Sequence, residues 1–311
     1  MPQFVMTALF THNACLGHDT GRRHPEAPVR LVAVLDALSG GAFASLDRRD
    51  APRATREDLA LIHPPRFIDA VMRAIPTQGH SALDPDTIVS PGSGEAALRA
   101  AGAVCAAVDA VIAGEVPNAF CAVRPPGHHA EPEQAMGFCL FNNVAVGAAR
   151  ARQCGCTRVA VVDFDVHHGN GTQAAFAADG DFFYASTHQS PFYPGTGAAD
   201  ETGVGNIVNV PLRAGTGSIA FRDAYERTIL PALATFQPEF LLISAGFDAH
   251  SRDPLAQLML EEDDYRWVTE RLLDVARLHA RGRVVSTLEG GYDLSALAAS
   301  TATHVAALMG G

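Results

Sequence analysis

The sequence lacks a basic excess. Its 23 lysine-plus-arginine residues are outnumbered by 34 aspartates and glutamates, which leaves a formal charge of −11. A chain this acidic has no general attraction for phosphate backbones, so nucleic-acid binding is not expected. No apolar run approaches the about 18 residues of a membrane-spanning helix, so no membrane role is expected. Met1 to Phe10 has no basic stretch ahead of its short apolar segment. It reads as a first β-strand rather than a signal peptide, and a cytoplasmic location is expected. The six cysteines (Cys15, Cys105, Cys121, Cys139, Cys154 and Cys156) form no C-x-x-C pair. Most sit in apolar surroundings and are expected to be buried, reduced thiols. Cys154-Gly155-Cys156 could hold a soft metal, but no second cluster accompanies it. Internal repeats and low-complexity linkers are also missing. With 48% hydrophobic and 18% charged residues over 311 positions, the composition is globular. One domain spanning 1–311 is expected.

What is present is an alternation of short apolar runs and longer helical patterns. Helices are predicted at 26–39, 94–113, 142–153, 218–236, 263–281 and 294–309. Strands are predicted at 119–123, 158–166, 182–186, 207–212, 240–244 and 284–288. Continuous apolar runs such as Val159-Ala-Val-Val162 are typical of strands buried on both faces. The alternation points to an α/β fold with a mostly parallel sheet flanked by helices. Functional groups in such sheets collect at the C-terminal ends of strands, and the polar clusters of this chain fall there.

Four clusters carry chemistry. In Val161-Val-Asp163-Phe-Asp165-Val-His167-His168, a buried strand ends in two carboxylates and an imidazole at alternate positions. Alternation along an extended strand would send all three to one side. Three buried ionisable groups are costly unless a cation neutralises them, and Asp/His ligation suits zinc. The competing reading is a metal-free hydrogen-bond network. Leu241-Leu-Ile-Ser-Ala-Gly-Phe-Asp248-Ala-His250 is a second apolar strand that presents Asp248. Asp165, His167 and Asp248 would make a three-ligand site with an open position, as catalytic zinc requires; alternatively Asp248 is a helix N-cap or turn residue. His250 is expected at the surface or behind the ligands. Arg124-Pro-Pro-Gly-His128-His129 places two histidines on a stiff loop after a strand, where neutral imidazole serves as a base near pH 7. Leu288-Glu-Gly-Gly-Tyr292 ends a strand in a glycine pair that frees Tyr292 to aim its phenol at a developing oxyanion.

RPPGHHA (124–130), GFCLFNNVAV (137–146), VDFDVHHGNGTQ (162–173), SAGFDAH (244–250) and LEGGY (288–292) occur in this order. Together they resemble the histone deacetylase and acetylpolyamine amidohydrolase superfamily of zinc hydrolases. HPEAPVR (24–30) and DPDTIVSPGS (84–93) resemble its class II branch. The resemblance implies an arginase/deacetylase-like open three-layer fold with a central parallel sheet of about eight strands. It implies one zinc on Asp165, His167 and Asp248. His129 would be the general base and then the acid toward the leaving amine; His128 would be its electrostatic partner, held by Asp163. Tyr292 would polarise the acyl carbonyl. Gly137, Phe138 and Tyr193 would line a tunnel for an acylated lysine-like chain. Structural potassium is implied near Asp163, Ser186 and Thr187, together with Asp165 and His167, and a second ion near Phe176 and Asp179. Asn170, where many members have aspartate, should leave His129 a weaker base. Tyr193, where phenylalanine is common, adds a hydroxyl to the tunnel wall. Leu255 stands where polyamine-selective relatives place a glutamate, which favours an acyl-lysine or neutral acyl-amide over an acetylpolyamine. A binuclear manganese ureohydrolase would need further paired carboxylates, and a non-catalytic acyl-lysine binder would lack a catalytic group. The resemblance says nothing of oligomeric state.

Overall fold

A computed structural model describes residues 6–310. The part of the expected first strand that falls on residues 1–5 lies outside the described residues. Among the described residues ten strands are formed: β1 (Ala8–Thr11), β2 (Asp47–Asp50), β3 (Ser81–Ala82), β4 (Ile88–Val89), β5 (Asn118–Cys121), β6 (Val159–Asp163), β7 (Phe182–Gln189), β8 (Ile207–Leu212), β9 (Phe240–Ala245) and β10 (Val284–Leu288). Eight of them build one sheet in the order β2-β1-β5-β10-β9-β6-β7-β8, with every pairing parallel. β3 and β4 form a separate antiparallel pair. The helices are α1 (Pro28–Ala37), α2 (Arg56–Leu59), α3 (Pro65–Ala74), α4 (Ser93–Ile112), α5 (Asn143–Gln153), α6 (Asn170–Phe176), α7 (Ser218–Ala224), α8 (Leu230–Phe236), α9 (Glu262–His279) and α10 (Leu294–Gly310). A π-helical turn, Tyr225–Ile229, joins α7 to α8, so the single helix expected over 218–236 is continuous but locally widened.

The central strands have the residues a doubly covered parallel sheet demands. β5, β6, β9 and β10 are buried at every position, and their Val, Leu, Ile and Phe side chains feed one continuous core. The edge strand β2 reads Asp-Arg-Arg-Asp and alternates half-buried with exposed positions. A charged edge of this kind resists pairing with another chain, and with no apolar run it gave no strand signal in the sequence. The Ala-rich α4 packs on α5 and against β1, β5 and β10. Its Gly102 faces the backbone at Pro52–Ala54, where any β-carbon would collide. α9 packs on α10, and α10 on α1. Among the described residues no helix is long and apolar enough to cross a membrane.

The register places the site. Cys121, Thr287, Ser244, Asp163 and Ser186 form one row across β5, β10, β9, β6 and β7. Each of the four chemical clusters begins within a few residues beyond this row, so five adjacent loops open on the same edge of the sheet.

Five of the six cysteines are buried and Cys154 is exposed. Of the two places expected for His250, the surface is excluded, because only 1% of it is accessible.

Candidate active site

β6 ends at Asp163, so strand alternation is not what aligns Asp165 and His167 with it. The alignment comes instead from consecutive side-chain-to-backbone hydrogen bonds. The Asp165 N–H donates to Asp163 Oδ1 at 3.0 Å, and the His167 N–H donates to Asp165 Oδ1 at 2.9 Å. The Val166 N–H donates to Asp248 Oδ1 at 2.8 Å, tying the β9 loop to the β6 loop. These bonds bring Asp165, His167 and Asp248 together. One ligand atom from each lies within 4.8 Å of the others, and His167 Nδ1 is 3.1 Å from both Asp165 Oδ1 and Asp248 Oδ2. Both carboxylates are fully buried. No β-carbon fits at Gly246 or Gly290, because it would enter the space of the Asp165 and Asp248 carboxyl groups.

The electrostatics match a cation site. Burial opposes the ionised form of Asp165, yet His128 and His167 beside it hold its carboxyl well below the usual range. Burial and the nearby Asp165 charge push Asp248 up to about 7. Burial would lower His167, but hydrogen bonds to Asp165 and Asp248 push it up to about 10. One imidazole proton offsets only one of the two carboxylates, so the trio keeps a net negative charge that favours a cation. Two carboxylates and one imidazole are a donor set that suits zinc, with a position left open toward the cleft.

The two histidines of the β5 loop have opposite environments. His128 Nδ1 donates to Asp163 Oδ2 at 2.9 Å. Burial works against its charged form, but Asp165 and Asp163 hold it well above the ordinary histidine value. Burial, then the positive His128 and His167, hold His129 well below that value. Asn170 Nδ2 donates to Glu131 Oε1 at 2.8 Å, which turns Asn170 Oδ1 toward His129 Nδ1, also at 2.8 Å. Nδ1 therefore carries the proton of neutral His129, and Nε2 is free as a base.

A cleft of about 220 Å³ opens above this group, lined by Asp86, His129, Gly137, Phe138, His167, Tyr193, Leu255 and Tyr292. His129 is 5.2 Å from the Tyr193 ring in an edge-on contact, and Phe138 is 6.0 Å from Tyr292. Gly137 and Phe138 both adopt left-handed backbone, with φ of 57° and 69°. A β-carbon at Gly137 would come 2.5 Å from His129 Cδ2. Phe138 is held there by its N–H donating to Thr87 Oγ1 at 3.1 Å and by His24, 4.8 Å from its ring. A non-glycine residue in this region of φ is uncommon outside sites that need it.

The remaining predicted residues do not line the cleft. Ser186 bonds His188 Nδ1 at 2.9 Å, and Thr187 is buried with its hydroxyl unpartnered. The carbonyls of Phe176, Asp179 and Phe182 converge on the Asn206 amide nitrogen at 2.9, 3.0 and 2.8 Å.

Several supporting residues were given no role by the sequence. Glu289, buried, accepts from the Gly127 N–H at 2.7 Å and the His128 N–H at 3.2 Å, joining the histidine loop to the tyrosine loop. Arg30 donates to the Glu289 and Gly291 carbonyls, both at 2.6 Å, and lies 4.8 Å from the centre of the Tyr292 ring. Glu26 holds Arg30 at 3.0 Å and Arg124 at 2.6 Å, all three buried. The Asp253 carboxylate accepts from the Tyr292 N–H at 2.7 Å. Glu26, Arg30, Asp86, Arg124 and Glu289 all fall within the segments already noted as family-like, and that was the available signal.

Known proteins share this architecture. A sequence model of the histone deacetylase domain matches residues 24–308. A histone deacetylase-like amidohydrolase of Pseudomonas aeruginosa is 44% identical over 90% of this chain and 73% of its own length. The chloroplastic histone deacetylase 14 of Arabidopsis thaliana is 38% identical over 97% of this chain and 76% of its own. A probable deacetylase of Archaeoglobus fulgidus is 35% identical, with coverage of 99% and 87%. The solved structure of the HDA15 HD domain superposes with a TM-score of 0.94 at 37% identity, covering 99% of this chain and 89% of that one. With a family model across most of its length and an eight-stranded parallel sheet that superposes on a solved member, the chain belongs to the histone deacetylase family of deacetylases and amidohydrolases.

Proposed function

We propose that the chain, as a single catalytic domain over residues 1–311, is a zinc-dependent amidohydrolase that removes acetyl or other acyl groups from lysine-like amines. The observation that carries this reading is the meeting of His129, His167 and Tyr292 in one narrow cleft directly above buried Asp165 and Asp248. Asp165, His167 and Asp248 would hold the ion. When bound, zinc supplies Lewis acidity, polarising the scissile carbonyl and lowering the pKa of a water from about 15.7 toward 7.

The chain's own residues supply the rest. Phe138 and Tyr193 flank the aliphatic stem of the substrate and exclude water from it. His129 is neutral and presents Nε2, so it accepts a proton from the attacking water and then delivers it to the leaving amine nitrogen. His128, kept charged by Asp163, stabilises negative charge developing beside it. Tyr292 stays protonated, because burial holds its phenol well above its ordinary value even against the nearby Arg30. It therefore donates a hydrogen bond to the carbonyl oxygen as that oxygen gains charge. Asp163, next to Ser186 in the register, would also serve a structural potassium together with Thr187. Three carbonyls, including those of Phe176 and Asp179, share one amide group with two hydrogens, which leaves acceptor capacity for a second potassium.

Leu255 on the cleft wall favours acyl-lysine or a neutral acyl-amide over acetylpolyamine, because an apolar side chain offers nothing to a second ammonium. A binuclear ureohydrolase is disfavoured. Among the described residues, the only other grouping of potential ligands is His250, Glu261 and Glu262, separate from the cleft. The Nδ1 of His250 accepts the Arg252 N–H at 3.1 Å, so its Nε2 carries the proton and is not free to ligate. A non-catalytic binder has no need of the base, its orienting amide and the phenol together. The chain contains no lysine, so none of its own side chains is a substrate.

A fluorogenic acyl-lysine panel is expected to show turnover abolished by a hydroxamate chelator, and Leu255→Glu is expected to raise relative activity on acetylpolyamines. No turnover on any acyl-amine would contradict the reading. Tyr292→Phe is expected to retain zinc while kcat falls about 10²–10³-fold; a near wild-type rate would remove the phenol from the chemistry. Because His167, at about 10, must lose its proton to bind an ion, and Asp248, at about 7, must lose one as well, zinc affinity is expected to rise about tenfold per pH unit between about pH 7.5 and 8.5 and more steeply below pH 7. Competition titration with a chelating dye measures this, and a flat profile would contradict the ligand assignment.

A further inference from the structure

A polar hollow of about 440 Å³, larger than the catalytic cleft, lies at the opposite, N-terminal edge of the sheet, where β6, β9 and β10 begin. Arg158 precedes β6, Glu239 precedes β9, and Arg283 precedes β10. Arg281 and His279 come from the end of α9, and Cys154-Gly155-Cys156 closes the remaining side.

Three guanidinium groups thus face one carboxylate, in a chain whose formal charge is −11. The carboxylate is already engaged. Glu239 accepts from the Thr157 N–H at 2.6 Å and the Thr157 hydroxyl at 3.1 Å, and lies 3.3 Å from Arg158 Nη2. Arg281 and Arg283 form no ion pair among the described residues. The nearest polar partner of Arg283 Nη1 is the Cys156 sulfur at 3.8 Å. Basic residues at a helix C-terminus also complement its dipole, but Arg158 and Arg283 stand at the entries to strands and still converge on the same hollow.

Arg281 carries a second, independent sign. It occupies the left-handed conformation, with φ of 56°, immediately before Gly282 at 75°. This is the position after a helix where glycine is ordinarily found, and a β-carbon there is disfavoured. Placing a long cation where glycine would fold more easily is the pattern of a residue kept for what it binds.

We propose that this hollow binds a small, multiply charged phosphate-bearing anion. Arginine's planar fork suits phosphate oxygens in paired hydrogen bonds, and the three forks approach from different elements. The hollow lies at the far edge of the sheet from the cleft, so the site stands whether or not the catalytic reading holds.

The test is isothermal titration of the intact protein with pyrophosphate, orthophosphate and sulfate at low ionic strength, with a hydroxamate present throughout. Pyrophosphate is expected to bind once per chain and more tightly than sulfate. Arg281→Gly relieves the backbone, so it is expected to melt higher than wild type while binding pyrophosphate at least about tenfold more weakly. Arg283→Gln is expected to weaken binding similarly, and Arg66→Gln, on a distant surface, to leave it unchanged. Absence of saturable binding, or binding indifferent to Arg281→Gly and Arg283→Gln, overturns the proposal. So does a heparin fragment that outcompetes pyrophosphate about a hundredfold, because the hollow would then belong to a polymer-binding surface.

Discussion

Two carboxylates and an imidazole sit beyond the ends of two adjacent strands with almost no access to water, and the surrounding structure follows from that constraint. An unneutralised carboxylate at such depth is prohibitively costly, so charge balance must come from a cation or a proton. The His167 imidazole, bonded to both Asp165 and Asp248, offsets one of the two negative charges and leaves the other for a cation. The arrangement is therefore already the geometry of a ligand set. The glycines at 246 and 290 leave that space to the carboxyl groups.

The same buried charge sorts the neighbouring histidines. Asp163 and Asp165 stabilise charge on His128, and a charged His128, with His167, disfavours charge on His129. Two adjacent imidazoles thereby take different protonation states, an electrostatic anchor and a free base. Asn170 sets the tautomer of His129 without adding the negative charge that an aspartate would bring. The scaffold behind them is polar and fully engaged. Glu289 fixes the histidine loop, and Arg30, held by Glu26, fixes the turn before Tyr292. These groups come from four separate loops, and their placement depends on five neighbouring strands ending in one row.

Much of this was readable from residue order. Uninterrupted apolar runs revealed the buried strands β6, β9 and β10, and the residues following each run include the proposed ligands Asp165, His167 and Asp248 and the phenol of Tyr292. Elements without such a signature were not legible. β2 is four charged residues whose pairing to β1 is decided by tertiary context, and α2 and α6 are too short for a periodic pattern. The reason for the alignment of Asp165 and His167 also differs from the one alternation suggests. A chain of side-chain-to-backbone hydrogen bonds past the strand end does the work, and no period reports it. Glu26, Arg124 and Glu289 lie within the family-like segments, but no local pattern marks them as buried. Their burial depends on partners as many as 259 residues away, which only the fold brings together. The cleft residue Asp86 was hidden for the same reason.

The site depends on what neutralises the buried trio. Elemental analysis of the purified protein, wild type beside Asp165→Ala, tests it most directly. The expected result is one zinc per wild-type chain and none in the variant, with both proteins folded by circular dichroism. Two manganese ions per chain, or undiminished zinc in the Asp165→Ala protein, would contradict the account.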